Sequence, residues 1–245
     1  MASKRRNDAR RDGELRPVRI TPGFVGTADG SCLIEIGRTR VICTASISEE
    51  LPRWRMGAQA GWVTAEYGML PASTHQRKSR PTIKPDGRSV EIQRLIGRSL
   101  RSVVNFERLG PRTVYLDCDV LEADGGTRTA SITGAQVALS IAAGRAVRDG
   151  RFRRGAVAGL VAAVSVGMFD GRAVLDLDYS EDSRAEVDMN IVMTNAGKYV
   201  EVQGASEARP FSDEDLQAML MLAWSGIRKL LSRQRQAIAE GLKKI

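Results

Sequence analysis

The sequence predicts an α+β fold made of two similar lobes. Three observations point there. Apolar runs of strand length, punctuated by turn signals, fill most of the chain, and three segments carry helical character. The order of elements repeats: each half has a hairpin, further strand and then a helix, with CLIEIGRTRVICTASIS and VAAVSVGMFDGRAVLDLDYS as counterparts. Strands in runs with few helices between them also argue against a doubly wound parallel sheet. A length of 245 residues suffices for one large domain or for two lobes sharing a core. The expected division is a basic N-terminal segment over 1–12 and a single domain over 13–245, with lobes of about 13–150 and 151–245.

Pro17 to Ser48 reads as three strands, VRITPGFV, SCLIEIG and TRVICTASIS, the last two joined as a hairpin by the turn in IGRTRV. LPRWRMGAQAGWVTAEYGMLP reads as a loop, a short strand and a stop at Pro71. ASTHQRKSRPTIKPDGRS is polar, basic and rich in turn formers, so a long exposed loop ending at Arg88 is expected. In EIQRLIGRSLRSVV, Ile92, Leu95, Ile96, Leu100, Val103 and Val104 recur at helical spacing, with Arg94, Arg98 and Arg101 on another face. TVYLDCDVLEA is a strand, and the small residues of TASITGAQVALSIAAG form a helix entered from a glycine turn. VAGLVAAVSVGMFDGRAVLDLDYSEDS is a second hairpin about FDG, which places Asp176 and Asp178 on one strand face. AEVDMNIVMTNAGKYVEVQGAS adds two strands around NAG. A long amphipathic helix follows, with Ser212 and Asp215 at capping-box spacing.

Composition narrows the chemistry. No stretch reaches the roughly 18 uninterrupted apolar residues of a membrane span. The basic N-terminus, MASKRRNDARRDGELRP, has no apolar region after it, so it does not read as a secretory signal. Cys32, Cys43 and Cys118 lie in strand-like runs without metal-ligand spacing, and they read as buried core thiols in a reducing cytoplasm. His75 is the one histidine, expected exposed in the basic loop; a nuclease with two catalytic histidines and a Ser-His-Asp hydrolase are both excluded. The net charge is +8, with arginine well ahead of lysine. Guanidinium groups bind phosphate through a fork, so the charge is that of a plain basic protein or of one that meets nucleic acid or polyphosphate.

Three clusters are candidates for chemistry. The first is the turn in ADGGTRTAS. Gly125 and Gly126 allow close backbone approach, Thr127 is placed to cap the helix, Arg128 adds a fork and Ser131 lies one turn on. It is either an anion site or only a glycine turn with a cap, and no P-loop Gly-Lys-Ser/Thr follows. The second is the carboxylate set Asp176, Asp178, Glu181, Asp182, Glu186 and Asp188, which suits a hard cation such as Mg²⁺ or a general acid of raised pKa. Its plain alternative is a surface acidic loop paired with arginines. The third is the basic loop carrying Arg77, Lys78, Arg80 and Lys84, which suits a nucleic-acid backbone. Tyr67 and Trp62 lie nearby as core fillers or stacking rings. Together the clusters suggest phosphoryl transfer on a nucleic acid, with free inorganic phosphate available as the nucleophile.

The blocks VICTASI, GWVTAEYGMLP, EIQRLIGRSLR, DGGTRTASITGA, LDLDYSEDSRAEVDMN and EVQG, in that order from about Leu15 to Ile238, resemble the ribonuclease PH family of bacterial phosphorolytic 3′→5′ exoribonucleases. The resemblance implies duplicated βαβα lobes like the second domain of ribosomal protein S5, and a hexameric ring built as a trimer of dimers. It implies trimming of tRNA precursors and other RNA 3′ ends, reversibly, with phosphate consumed and nucleoside diphosphates released. It places the phosphate-binding residues at Arg88, Gly126, Thr127 and Arg128, and the essential aspartates, which hold Mg²⁺ or act as acid, at Asp182 and Asp188. Arg77 and Arg80 keep the RNA-binding loop basic. Two departures are visible: the family's RPxGR is here RNDAR, so Asn7 and Ala9 replace proline and glycine, and Ala72 replaces the arginine of GMLPR. Both fall in segments expected at the surface, touching RNA or neighbouring subunits, and the arginine-rich first dozen residues are expected to be mobile. A non-catalytic RNA-binding ring subunit of an exosome-like assembly is the alternative; it predicts loss of the phosphate-site arginines or the aspartates, and all four are present.

Overall fold

The structure, a computed structural model, describes residue 6 and residues 8–80 and 86–243. The described strands form two sheets. The first contains β1 (Val18–Pro22), β2 (Gly30–Ile36), β3 (Thr39–Ser48), β4 (Trp62–Met69) and β5 (Thr113–Glu122), in the order β1-β2-β3-β5-β4. Its pairs are antiparallel except β4 with β5. That pair is parallel because the chain crosses back between them through α1 (Gly87–Arg101) and the single turn α2 (Phe106–Leu109).

The second sheet contains β6 (Val161–Phe169), β7 (Arg172–Leu175), β8 (Val187–Thr194) and β9 (Tyr199–Ser206), in the order β7-β6-β8-β9, antiparallel throughout. Both hairpins expected from the sequence are present, β2 with β3 and β6 with β7.

Alternation decides which side chains enter the core. In β2, Cys32, Ile34 and Ile36 are buried, and Cys32 stands opposite Cys43 of β3, itself opposite Cys118 of β5. All three thiols are free and buried, as expected, and burial pushes the Cys43 thiol well up.

Above them runs α3 (Thr127–Arg148), packed on β2 and β3 and also on β6. This two-sided contact accounts for its small residues: a Cβ on Gly134 would stand 2.7 Å from Cys43 Sγ. The last helix, α5 (Asp213–Lys243), covers β6 and β7 and also touches β1 and α3. Its start is capped as expected: Ser212 Oγ accepts from the Asp215 amide at 3.2 Å, and Asp215 Oδ2 accepts from the Ser212 amide at 3.1 Å. Val161, Ala163, Val192 and Ala237 belong to the same apolar cluster as β2, β3 and α3, so the two halves share a core.

Three short elements were not expected: a 3₁₀ turn at Arg53–Arg55, α2, and the one-turn helix α4 (Tyr179–Asp182). The boundary of α1 is also earlier than expected. Asp86 caps it, accepting from the Ser89 amide at 2.7 Å, so Arg88 stands in the first helical turn rather than at the end of the loop. Among the described residues no helix is long and apolar enough to cross a membrane.

Candidate active site

The turn between β5 and α3 is built by Gly125 and Gly126, at φ +74 and +68. Glycine is needed at the first for space as well as conformation: a Cβ on Gly125 would lie 2.6 Å from the Leu177 carbonyl oxygen. Within α3 the Ala130 amide reaches back to the Gly126 carbonyl at 3.0 Å. The amides of Thr127, Arg128 and Thr129 precede that bond and have no acceptor in the helix, and no side chain caps them. The expectation that Thr127 caps the helix is corrected here, because Gly126 occupies the cap. Thr127 Oγ1 instead shares a 2.9 Å hydrogen bond with Tyr67 Oη, a buried phenol rising from β4. Ser131 is also turned away from the turn, buried and donating to the Thr127 carbonyl at 2.8 Å.

The carboxylates do not form one set. β7 ends at Leu175, so Asp176 and Asp178 do not share a strand face, contrary to expectation. Asp176 takes φ +56, and Asp178 caps α4 in a capping box with Glu181. Buried Arg16 holds Asp176, with Nη2 to Oδ1 at 2.7 Å, Nε to Oδ2 at 3.0 Å and its amide to Oδ2 at 2.7 Å. Arg6 holds Glu181, with Nε to Oε1 at 2.7 Å and Nη2 to Oε2 at 2.5 Å. Glu186 pairs with Arg209 at 2.5 Å near the surface. For these three, pairing with arginine is what the structure has, two of the pairs being buried rather than on a surface loop.

Asp182 and Asp188 differ. Neither carboxylate accepts a hydrogen bond or joins an ion pair among the described residues. Asp188 lies on β8 opposite Gly167 and Ala205 and is half-buried. Burial first, and then the charge of Asp182, push the Asp188 carboxyl up to about 6. Burial also raises Asp182, against the opposing pull of Arg88 and Arg128.

Turn and carboxylates face one cavity of about 600 Å³. It brings together Arg88, Gly126, Thr127, Arg128, Asp182 and Asp188, with Arg77 at its mouth. Arg80 is exposed on the same loop but does not line it, and Lys84 lies outside the described residues. His75 is exposed, as expected, and borders the cavity. Arg128 is steadied by Glu91 at 3.4 Å.

Sequence reasoning missed Tyr179, which lines the cavity while 60% exposed, and also Ser165 and Asn190. It missed Arg6 and Arg16 as well. Within the arm expected to be mobile and at the surface, two described residues are tied down: Arg6 is buried, and Arg10 donates to the Asp176 carbonyl at 3.0 Å; residues 1–5 lie outside the described residues. Ala9 is exposed at φ +62, and Asn7 lies outside the described residues.

Unbonded amides and guanidinium groups opposite unpaired carboxylates suit a phosphoryl-transfer enzyme, and an open basic mouth suits a polymeric anion as its substrate. Known proteins narrow that class. The 3′ exoribonuclease family matches with its domain 1 over residues 14–143 and its domain 2 over 159–226. A curated protein of Neisseria meningitidis serogroup C named ribonuclease PH is 56% identical over 227 residues, covering 92% of this chain and 94% of its own length; a serogroup A protein of the same name gives the same figures. Two solved structures share the fold. One is described as the Archaeoglobus fulgidus exosome with RNA bound to the active site (TM-score 0.81, 22% identity, 94% of this chain and 92% of that one). The other is rice Rrp46 (TM-score 0.76, 18% identity, 95% and 100%). The chain belongs to the 3′ exoribonuclease family, with the two-part fold that family has.

Proposed function

We propose that this chain trims the 3′ ends of tRNA precursors and other RNAs by phosphorolysis, releasing nucleoside 5′-diphosphates. The chain is a phosphate-dependent 3′ exoribonuclease, with inorganic phosphate as co-substrate. The observation that supports the residue-level reading is one cavity lined by the glycine turn together with Asp182 and Asp188.

In this reading the turn amides, Thr127, Arg128 and Arg88 hold inorganic phosphate. One of its oxygens attacks the last internucleotide phosphorus in line. A new P–O bond forms as the bond to the 3′ oxygen of the preceding nucleotide breaks, and that oxygen takes up a proton. One phosphodiester becomes one phosphoanhydride, so the reaction runs backward when nucleoside diphosphate is in excess. Arg77 and Arg80 meet the RNA backbone outside the cavity.

The carboxylate pair fits a divalent cation in one respect. It supplies two unpaired carboxylates, and among the described residues no group of three or more His, Cys, Asp or Glu side chains could hold a metal ion. Mg²⁺ is commonly held by one or two carboxylates together with substrate phosphates. Asp182 and Asp188 would hold it, and the ion would neutralise charge on the transferring group. In the alternative role, one of the two aspartates gives the leaving 3′ oxygen its proton; Asp188, with its carboxyl at about 6, is the better placed in acidity. We place the enzyme in the cytoplasm as a homo-oligomer, a hexamer built as a trimer of dimers.

Arg88 tests the phosphate reading. Arg88→Ala removes a charged contact worth about 10- to 100-fold in affinity, so the KM for phosphate rises by that factor while RNA binding changes little. Equal loss of phosphate and RNA affinity would remove Arg88 from the phosphate site.

A further inference from the structure

Three arginines near the N-terminus point into the protein rather than toward solvent. Arg6 grips Glu181 through two bonds, at 2.7 and 2.5 Å, and both side chains are 0% accessible. The same guanidinium donates to the carbonyls of Leu175 at 2.7 Å and Asp176 at 2.9 Å, where the chain leaves β7. Arg16 carries two loads: it binds both carboxylate oxygens of Asp176, and it donates to the carbonyls of Asp124 and Gly125 in the glycine turn. Arg10 adds a contact to the Asp176 carboxylate at 3.3 Å.

These bonds meet where the site needs fixing. α4 is four residues long, and a helix of one turn does not hold itself together. Asp182 is its last residue, directly after Glu181. The segment that leads into it starts at Asp176, in a left-handed conformation at φ +56 that a non-glycine residue adopts at a cost. Arg6 therefore fixes both ends of this short excursion, and Arg16 fixes its start against the glycine turn.

We propose that Arg6, Arg10 and Arg16 together form a positioning strap that sets Asp182 opposite the phosphate turn by holding Glu181 and Asp176. The proposal rests on the reading of Asp182 given above. In this proposal the strap acts by position, through Glu181 and Asp176, which it holds, and through the glycine-turn carbonyls bonded by Arg16. Buried ion pairs are weak sources of net stability, because desolvation offsets their attraction. What this one supplies is geometry, and a misplacement of about 1 Å costs on the order of 100-fold in rate.

The test compares kcat with the two KM values. Arg6→Met/Glu181→Gln removes both charges together; the glutamine carbonyl can still accept from the Asp178 amide and keep the cap of α4, and Arg10 keeps Asp176 as its partner, so no unpaired charge is left in the core. Its kcat falls about tenfold or more, while the KM for phosphate and the affinity for RNA stay within about threefold. Arg16→Lys keeps the charge but loses the fork, so kcat falls and the KM for phosphate rises together. If the double variant does not fold, Arg16→Lys and Arg6→Lys carry the test by the same readouts.

Full kcat in these variants overturns the strap. So does a loss confined to RNA affinity and its salt dependence, which would make the segment an RNA arm. Asp182→Asn, measured alongside, separates the two claims. An active Asp182→Asn overturns the reading of Asp182 and the strap with it, whereas an inactive Asp182→Asn beside a fully active double variant overturns the strap alone.

Discussion

Glu181 and Asp182 are neighbours in the chain and live in opposite environments. Glu181 is fully buried and bonded by Arg6, whereas Asp182 opens on the cavity with no hydrogen bond or ion pair to its carboxylate among the described residues. The contrast repeats between Asp176, enclosed by Arg16, and Asp188, half-buried and unpaired. A patch of like charge has thus been divided into carboxylates that hold the fold and carboxylates that are available to a ligand. The available pair is costly to keep: burial and mutual repulsion raise the Asp188 carboxyl to about 6. Unpaired charge retained at such a cost is what a site for cation or proton chemistry looks like.

The division predicts opposite responses to neutral replacements. Glu181→Gln leaves the buried Arg6 guanidinium without its counter-charge, and it destabilises the fold by about 3 kcal/mol. Thermal melts then show Tm lower by roughly 6–12 °C; an unchanged Tm would place Glu181 with the available group. Asp188→Asn moves the other way. Its native pKa lies above the ordinary 3.8, so the fold holds the proton more tightly than the unfolded chain does. That stabilisation is complete below about pH 3.8 and is lost as pH rises through about 6. Discounted for partial exposure, the loss is on the order of 2 kcal/mol. In metal-free buffer at pH 7.5, Asp188→Asn is therefore more stable than the parent and melts with a flatter dependence on pH between 4 and 7, although it has lost activity. A lower Tm would mean that Asp188 has a partner.

The smallest expected effect concerns the strap. Ala9 takes φ +62, a left-handed conformation that costs a residue with a Cβ about 1 kcal/mol. Part of the gain from Ala9→Gly is offset by the extra freedom of glycine in the unfolded chain. A net rise of about 0.5 kcal/mol is expected by urea denaturation, and a loss would contradict the turn at Ala9.

Most of the fold was legible because it depends on local pattern. One-sided burial makes β2 and β3 alternate, and a helix packed between two sheets is restricted to small residues, as in α3. The glycine turn showed itself through Gly125 and Gly126. The division of the carboxylates was not legible, because it rests on partners far away in sequence: Arg6 is 175 positions from Glu181, and Arg16 is 160 from Asp176. No periodicity encodes such a pair. One local signal was available: Asp178 and Glu181 have capping-box spacing, which marks a helix start where a strand was expected. Charge groups Arg80 with Arg77, but the path of the loop brings Arg77 and Lys78, and not Arg80, to the cavity.

The most direct test of the account is a 3′-labelled tRNA precursor incubated with Mg²⁺, with and without inorganic phosphate, and the products resolved. Phosphorolysis gives labelled nucleoside 5′-diphosphate in the presence of phosphate and none in its absence. Nucleoside monophosphate released without phosphate would contradict it, because water would then be the nucleophile and the glycine turn would hold some other ligand.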